Sequence, residues 1–278
     1  MDFRRLLLVT TVTTAFTALV GVITATSGAG LTCGARWPLC DGAVFGLFPA
    51  NFMSFIEWSH RLVAMITGFL IIGSAIAAWR GGHSRRIRLA TLAALLLTPV
   101  QIVFGAFTVL VNELVFGYSI VVLTLHFTFA SLILAFLVGA TVWAYADVSE
   151  VTFEKIQAAA VAALLGFPVM VGLTPRLFVA FGEVAQFVYY GLGFGMFAAL
   201  CLVALWSREL GARAVSYAGG VGAALVVSQL VIARRAFGND GQLLILALSF
   251  AAFGLTLVAI RRTRALGDHP TAAAPASD

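Results

Sequence analysis

Apolar runs of about 18 to 25 residues recur eight times along this chain, each long enough to cross a ~30 Å hydrocarbon core as a helix. They fall at roughly residues 6–26, 55–79, 89–111, 119–145, 156–174, 185–206, 215–233 and 242–260. Lipid offers the backbone no hydrogen-bonding partner, so such runs must satisfy their own amides as helices. With 61% hydrophobic and 10% charged residues, the composition excludes a soluble globular protein. The expected class is an all-α polytopic membrane protein, multi-pass in the cell membrane. The formal charge of +5 does not point to nucleic acid, because the arginines stand in short loops between apolar runs. Arg4 and Arg5 precede the first run; Arg80, Arg85, Arg86 and Arg88 follow the second. Lys155, Arg208 and Arg213 fall in later loops on that side, and Arg261, Arg262 and Arg264 close the last run. The other side holds Arg36, Arg176, Arg234 and Arg235, with Arg61 at a helix mouth. The positive-inside rule therefore places both termini in the cytoplasm. The first run is longer than a secretory signal core and is expected to be retained.

The second half of the chain reads as a worn copy of the first. Phe55-Ile56-Glu57-Trp58-Ser59-His60 aligns with Phe181-Gly182-Glu183-Val184-Ala185-Gln186. Val227-Ser228-Gln229 echoes Val100-Gln101. Ser249-Phe250-Ala251 echoes Thr128-Phe129-Ala130, which places Ala247 where His126 would stand. The expected architecture is two tandem four-helix bundles in the same orientation, residues 1–146 and 147–266, with a disordered tail over 267–278.

Chemistry concentrates at the start of the second span. Glu57, His60 and Arg61 stand at i, i+3 and i+4 and share one helical face. Ionisable groups in a bilayer are costly and mark sites. Ala64 and Gly68 follow on that face and leave room for a flat ligand. The fourth span carries His126 with no charge beside it. At 1.5 Å per residue, His60 lies about 9 Å and His126 about 13 Å below their helix starts, a matched depth in the outer half. Two neutral imidazoles at one depth can ligate a haem iron from both sides. Gln101, after Pro99 in the third span, either hydrogen-bonds across the bundle or faces the ligand. Pro99 is expected to kink its helix. Arg61 either pairs with Glu57 or meets a haem propionate. Cys33 and Cys40, seven apart in the outer loop, read as a disulfide, either a structural staple or a redox-active pair. Trp37 and Pro38 stiffen that loop, and Asn112, Glu113 and Gly117 form a short outer turn. His83 and His269 read as solvated, and Cys201 as an inert apolar residue. From the residues alone, the reading is a bis-histidine membrane haem protein.

The strings Ser27-Gly28-Ala29-Gly30-Leu31-Thr32-Cys33, Trp37-Pro38-Leu39-Cys40-Asp41-Gly42 and Glu57-Trp58-Ser59-His60-Arg61 resemble the haem A synthase family. The resemblance covers the first four spans, with His126 matching the family's histidine in the fourth. It implies oxidation of the C8 methyl of haem O to the formyl of haem A, with the porphyrin between His60 and His126. It implies a catalytic role for Glu57 and a disulfide between Cys33 and Cys40. The implied partners are haem O and the enzyme that donates it, an electron donor of unidentified kind, cytochrome oxidase assembly factors and a second copy of the chain. The second half departs from the family: Gln186 and Ala247 replace the histidines that hold haem b, so no stable haem b is expected there. Arg36 stands where an acidic residue is common. Two other functions share the histidines. One is a b-type cytochrome relaying electrons, which needs neither Glu57 nor the cysteines. The other is a haem-handling transporter or chaperone.

Overall fold

A computed structural model describes residues 2–34, 36, 39–40, 43–44, 48–114, 120–146, 150–175, 177–234 and 241–268. Eight helices follow in order: α1 Phe3–Thr26, α2 Phe52–Arg80, α3 Arg85–Leu114, α4 Ile120–Ala146, α5 Phe153–Gly172, α6 Glu183–Glu209, α7 Arg213–Ile232 and α8 Gly241–Asp268. All eight are long and apolar enough to cross a membrane. The chain is a multi-pass membrane protein. Between α1 and α2 lie a single 3₁₀ turn, Ala29–Leu31, and two short antiparallel strands, β1 Ala43–Val44 and β2 Phe48–Pro49.

The helices outrun the apolar windows by a few residues, because their ends continue as helix into the polar interface. Asn112 and Glu113 thus belong to the last turn of α3 rather than to a loop, and Gly117 lies outside the described residues. Gly267 and Asp268 likewise extend α8; the rest of the expected tail, with His269, lies outside the described residues. Pro99 sits inside a continuous α3, and Pro168 inside α5. Local chemistry sets the start of α2: the Asn51 side chain caps it by accepting from the amides of Met53 (2.9 Å) and Ser54 (3.4 Å). Gly82 and Gly211 hold φ of +61° and +72° in the tight α2–α3 and α6–α7 turns, matching positions of the two repeats.

Each half closes into a ring. In the first, α1 and α3 flank α2 on one side and α4 on the other, so α2 and α4 face each other across the ring. The second repeats this with α5 to α8, and α4 and α1 pack on α6 to join the halves. Polar pairs tie α1 into its ring: Thr10 with Ser74 (2.8 Å), Thr11 with Thr141 (2.8 Å) and Thr17 with Thr67 (2.7 Å).

The two rings differ in how they are filled. The largest core cluster runs from α4 through α5–α8 and includes Phe167, Tyr189, Phe194, Leu200 and Leu230. The first ring has only small clusters, and those between its helices lie toward the end away from the cysteine loop: Leu7 with Ala78, Ile87 and Ala140, and Ile71 with Ala94 and Leu137. Nearer the loop, residues 59–66 of α2, 95–108 of α3 and 120–126 of α4 contain no fully buried side chain. Helices that ring a space without filling it leave an interior for something else.

Candidate functional site

Both histidines stand at that unfilled level. His60 is eight residues into α2 and His126 six into α4, about 12 Å and 9 Å along their axes. They remain at similar depth although both helix starts shift from the sequence expectation. Small residues on neighbouring helices make way for them. A Cβ on Gly21 of α1 would come within 2.8 Å of His60 Cε1, and one on Gly105 of α3 within 3.2 Å of His126 Cε1. A Cβ on Gly68 would meet nothing within 4 Å, and Ala64 on the same stripe is half-buried.

The Nδ1 atoms of His60 and His126 are both buried and find no hydrogen-bond partner among the described residues. Such orphans cost free energy unless a ligand or a rearrangement satisfies them. Gln101 of α3 reaches His126, its Nε2 lying 3.3 Å from the ring Nε2, while its own Oε1 is buried without a partner. Of the two roles its sequence position allowed, Gln101 shows the bond across the bundle. Two imidazoles, half-buried and ringed by glycine, on facing helices around an unfilled interior, fit a flat iron porphyrin. Among the described residues no cluster of three His, Cys, Asp or Glu side chains offers a different metal site.

Glu57 is the one buried carboxylate among the described residues, 2% exposed. It accepts from the Cys33 amide (2.7 Å), the Thr32 hydroxyl (3.1 Å) and the Arg61 guanidinium. Arg61 also donates to the Gly34 carbonyl at 2.7 Å. Of the two partners open to Arg61, the structure shows Glu57. The ion pair fastens the cysteine loop onto α2. Cys33 and Cys40 are disulfide-bonded, 1% and 6% exposed, and packed against Trp58 and Leu62. Phe48 lies against Trp58, ring centroids 5.2 Å apart. Trp37 and Pro38 lie outside the described residues.

At the position matching His60, Gln186 donates to the Phe181 carbonyl at 2.9 Å and accepts from Arg234 at 3.4 Å. Around it the second ring is packed solid with Tyr189, Tyr190 and Phe194. His83 is not simply solvated: its ring stacks on Phe3 at 3.8 Å, far from the site at the opposite helix ends. Sequence reasoning missed Gly21, Gly105 and Arg234. The glycines gave no signal, because glycine is common in membrane helices. Arg234 had one: an Arg-Arg pair ending an apolar span on the side where arginine is scarce.

The model of a family described as COX15-CtaA, cytochrome oxidase assembly protein, matches residues 4–179, which include both histidines, Glu57 and the cysteines. The chain belongs to this family. Heme A synthases of Bacillus licheniformis and Alkalihalophilus pseudofirmus are 35% and 38% identical over 133 and 135 residues. These alignments cover 46% and 48% of this chain and 42% and 43% of the relatives. A protoheme IX farnesyltransferase of Halobacterium salinarum is 42% identical over 90 residues, 32% of this chain and 20% of that protein. The chain thus aligns with less than half the length of these relatives. Membership of the COX15-CtaA family agrees with the resemblance read from the cysteine loop and the Glu57–Arg61 string.

Proposed function

We propose that this COX15-CtaA protein is a haem A synthase, an oxidoreductase that converts the C8 methyl of haem O to the formyl group of haem A for terminal oxidases. The observation that carries this reading is the pair of imidazoles, His60 and His126, each with a buried Nδ1 that finds no partner among the described residues, on facing helices at the unfilled level of the first ring. The names of the heme A synthase relatives support it. The farnesyltransferase relative supports a partnership with an enzyme that supplies farnesylated haem. The electron donor remains a partner defined by chemistry alone.

His60 and His126 would hold the iron, and the porphyrin would supply the redox chemistry when bound. Gly21 and Gly105 let the two rings take their positions. Gln101 contacts the His126 ring and fixes its orientation until the porphyrin arrives. Two hydroxylations of the methyl, each consuming one O2, two electrons from the donor and two protons and releasing one water, give a gem-diol that loses a further water to the formyl, so protons must be delivered to the site. Glu57, held by Arg61 and Thr32 at the loop end of the site, takes up and returns a proton at Oε2. The disulfide loop, tied down through the Cys33 amide, closes that end against water. Its burial under Trp58 supports a structural staple over a redox-active pair. The second ring, with Gln186 and Ala247 in place of histidines and its interior filled by aromatic side chains, holds no haem of its own. Both termini lie in the cytoplasm, which puts the site toward the outer surface.

The test is conversion. Membranes carrying the wild-type chain are given haem O and their haems are extracted and identified by mass. Haem A is expected from the wild type and none from His60→Ala or His126→Ala. A Glu57→Gln variant that keeps its haem spectrum and loses conversion marks an enzyme. Haem spectra with no haem A under any condition would instead mark a b-type electron relay.

A further inference from the structure

Among the described residues only two charged side chains are fully buried, Glu57 and Arg234. Glu57 has its cation. Arg234 has no anion among the described residues. It follows α7 directly, is 8% exposed, and forms no salt bridge with a described carboxylate. Its hydrogen-bond partner is a neutral one, the Gln186 Oε1 at 3.4 Å, and its Nε is buried with no partner. The guanidinium lies over the rings of Phe127 (5.8 Å) and Tyr190 (5.6 Å). Aromatic faces offset part of the cost of burying a cation, but far less than a carboxylate does. A buried cation without a counter-ion is expensive, and its persistence points to an anion that joins it.

Position says which anion. Phe127 adjoins His126 on α4, and the Arg234 guanidinium lies over the Phe127 ring. The guanidinium therefore stands beside the porphyrin site, but it comes from the second ring. Arg61, another cation at this end, is engaged by Glu57 and Gly34. We propose that Arg234 binds a propionate carboxylate of the porphyrin held by His60 and His126, so that the second ring, lacking a haem of its own, completes the site of the first. Gln186, standing where the repeat would place a histidine, holds the guanidinium in reach. The proposal rests on the reading of the first ring as a porphyrin site.

The test uses the purified full chain in neutral phosphatidylcholine discs, titrated with ferric protohaem and with its dimethyl ester, whose carboxylates carry no charge. Binding is read from the Soret band. Wild type is expected to favour the diacid by about tenfold or more, the worth of one charge-assisted hydrogen bond. Arg234→Gln should lose most of that preference while binding the ester as before, and Arg234→Lys should keep part of it. Equal affinity of wild type for the two porphyrins overturns the proposal, and so does an Arg234→Gln variant that weakens both alike or neither. The wild-type comparison stands even if a variant fails to fold. Failure of wild type to bind either porphyrin removes the porphyrin reading and this proposal with it. Binding of both porphyrins without discrimination removes only the role of Arg234, leaving another anion, such as a lipid phosphate, as its partner.

Discussion

Glu57 and Arg61 show how a buried ion pair can be read from sequence only in outline. Their i, i+4 spacing announced the contact, and the structure confirms it. The Cys33 amide and Thr32 hydroxyl that complete the carboxylate's shell come from a loop whose path no periodicity predicts. Truncating one partner of such a pair leaves the other buried and uncompensated. Glu57→Leu is therefore expected to destabilise the chain by about 3 kcal/mol, measured by thermal unfolding in detergent, with Glu57→Gln milder because the amide oxygen still accepts. Equal unfolding curves for both variants would contradict the network. Arg234 left only a faint trace in the sequence. An arginine on the side where arginine is scarce runs against the topology rule, and only packing shows that the side chain turns inward over Phe127 and Tyr190 instead of toward water.

At the scale of elements, helix identity and order were legible because each span repeats one signal, an uninterrupted apolar run. Helix ends were not, since the helix continues after hydrophobicity stops: α2 gains Phe52 to Ser54 through the Asn51 cap, and α8 runs on past Arg261, Arg262 and Arg264. Glycines inside spans carry the closest packing, and their roles separate by location. A Cβ on Gly219 of α7 would meet the Ala204 backbone nitrogen of α6 at 2.8 Å, and backbone cannot yield as a side chain does. Gly219→Ala is expected to cost about 1–3 kcal/mol and to leave porphyrin affinity per folded molecule unchanged. Gly21→Val should do the reverse. It crowds the His60 ring, lowering porphyrin affinity about tenfold or more with little change in unfolding temperature. Soret titration paired with thermal unfolding separates the two, and a Gly21→Val variant with wild-type affinity would show that α1 does not position His60.

Across the whole molecule, matched strings in the two halves were visible, yet the unequal filling of the two rings was not. Gln186 and Ala247 stand in the sequence where the matched strings of the first half carry His60 and His126. They did not reveal that Tyr189, Tyr190 and Phe194 had closed its interior, because aromatic residues pack a core and line a cofactor pocket equally well. The first ring kept its open level at the cost of a continuous core, and the second supplies the packing that the first lacks, through α4 and α1 against α6. One porphyrin per chain is therefore expected, not two, by haem extraction against protein concentration. Reporter fusions at each end should place both termini on the cytoplasmic side; a periplasmic signal from either would reverse the orientation derived from the arginines. The most direct test of the account is the electron paramagnetic resonance spectrum of the ferric protein loaded with one porphyrin. Wild type should give a low-spin signal from two axial imidazoles, and His60→Ala and His126→Ala should each turn it high-spin or empty the site. A low-spin signal that survives in both variants would mean that the iron is held somewhere else.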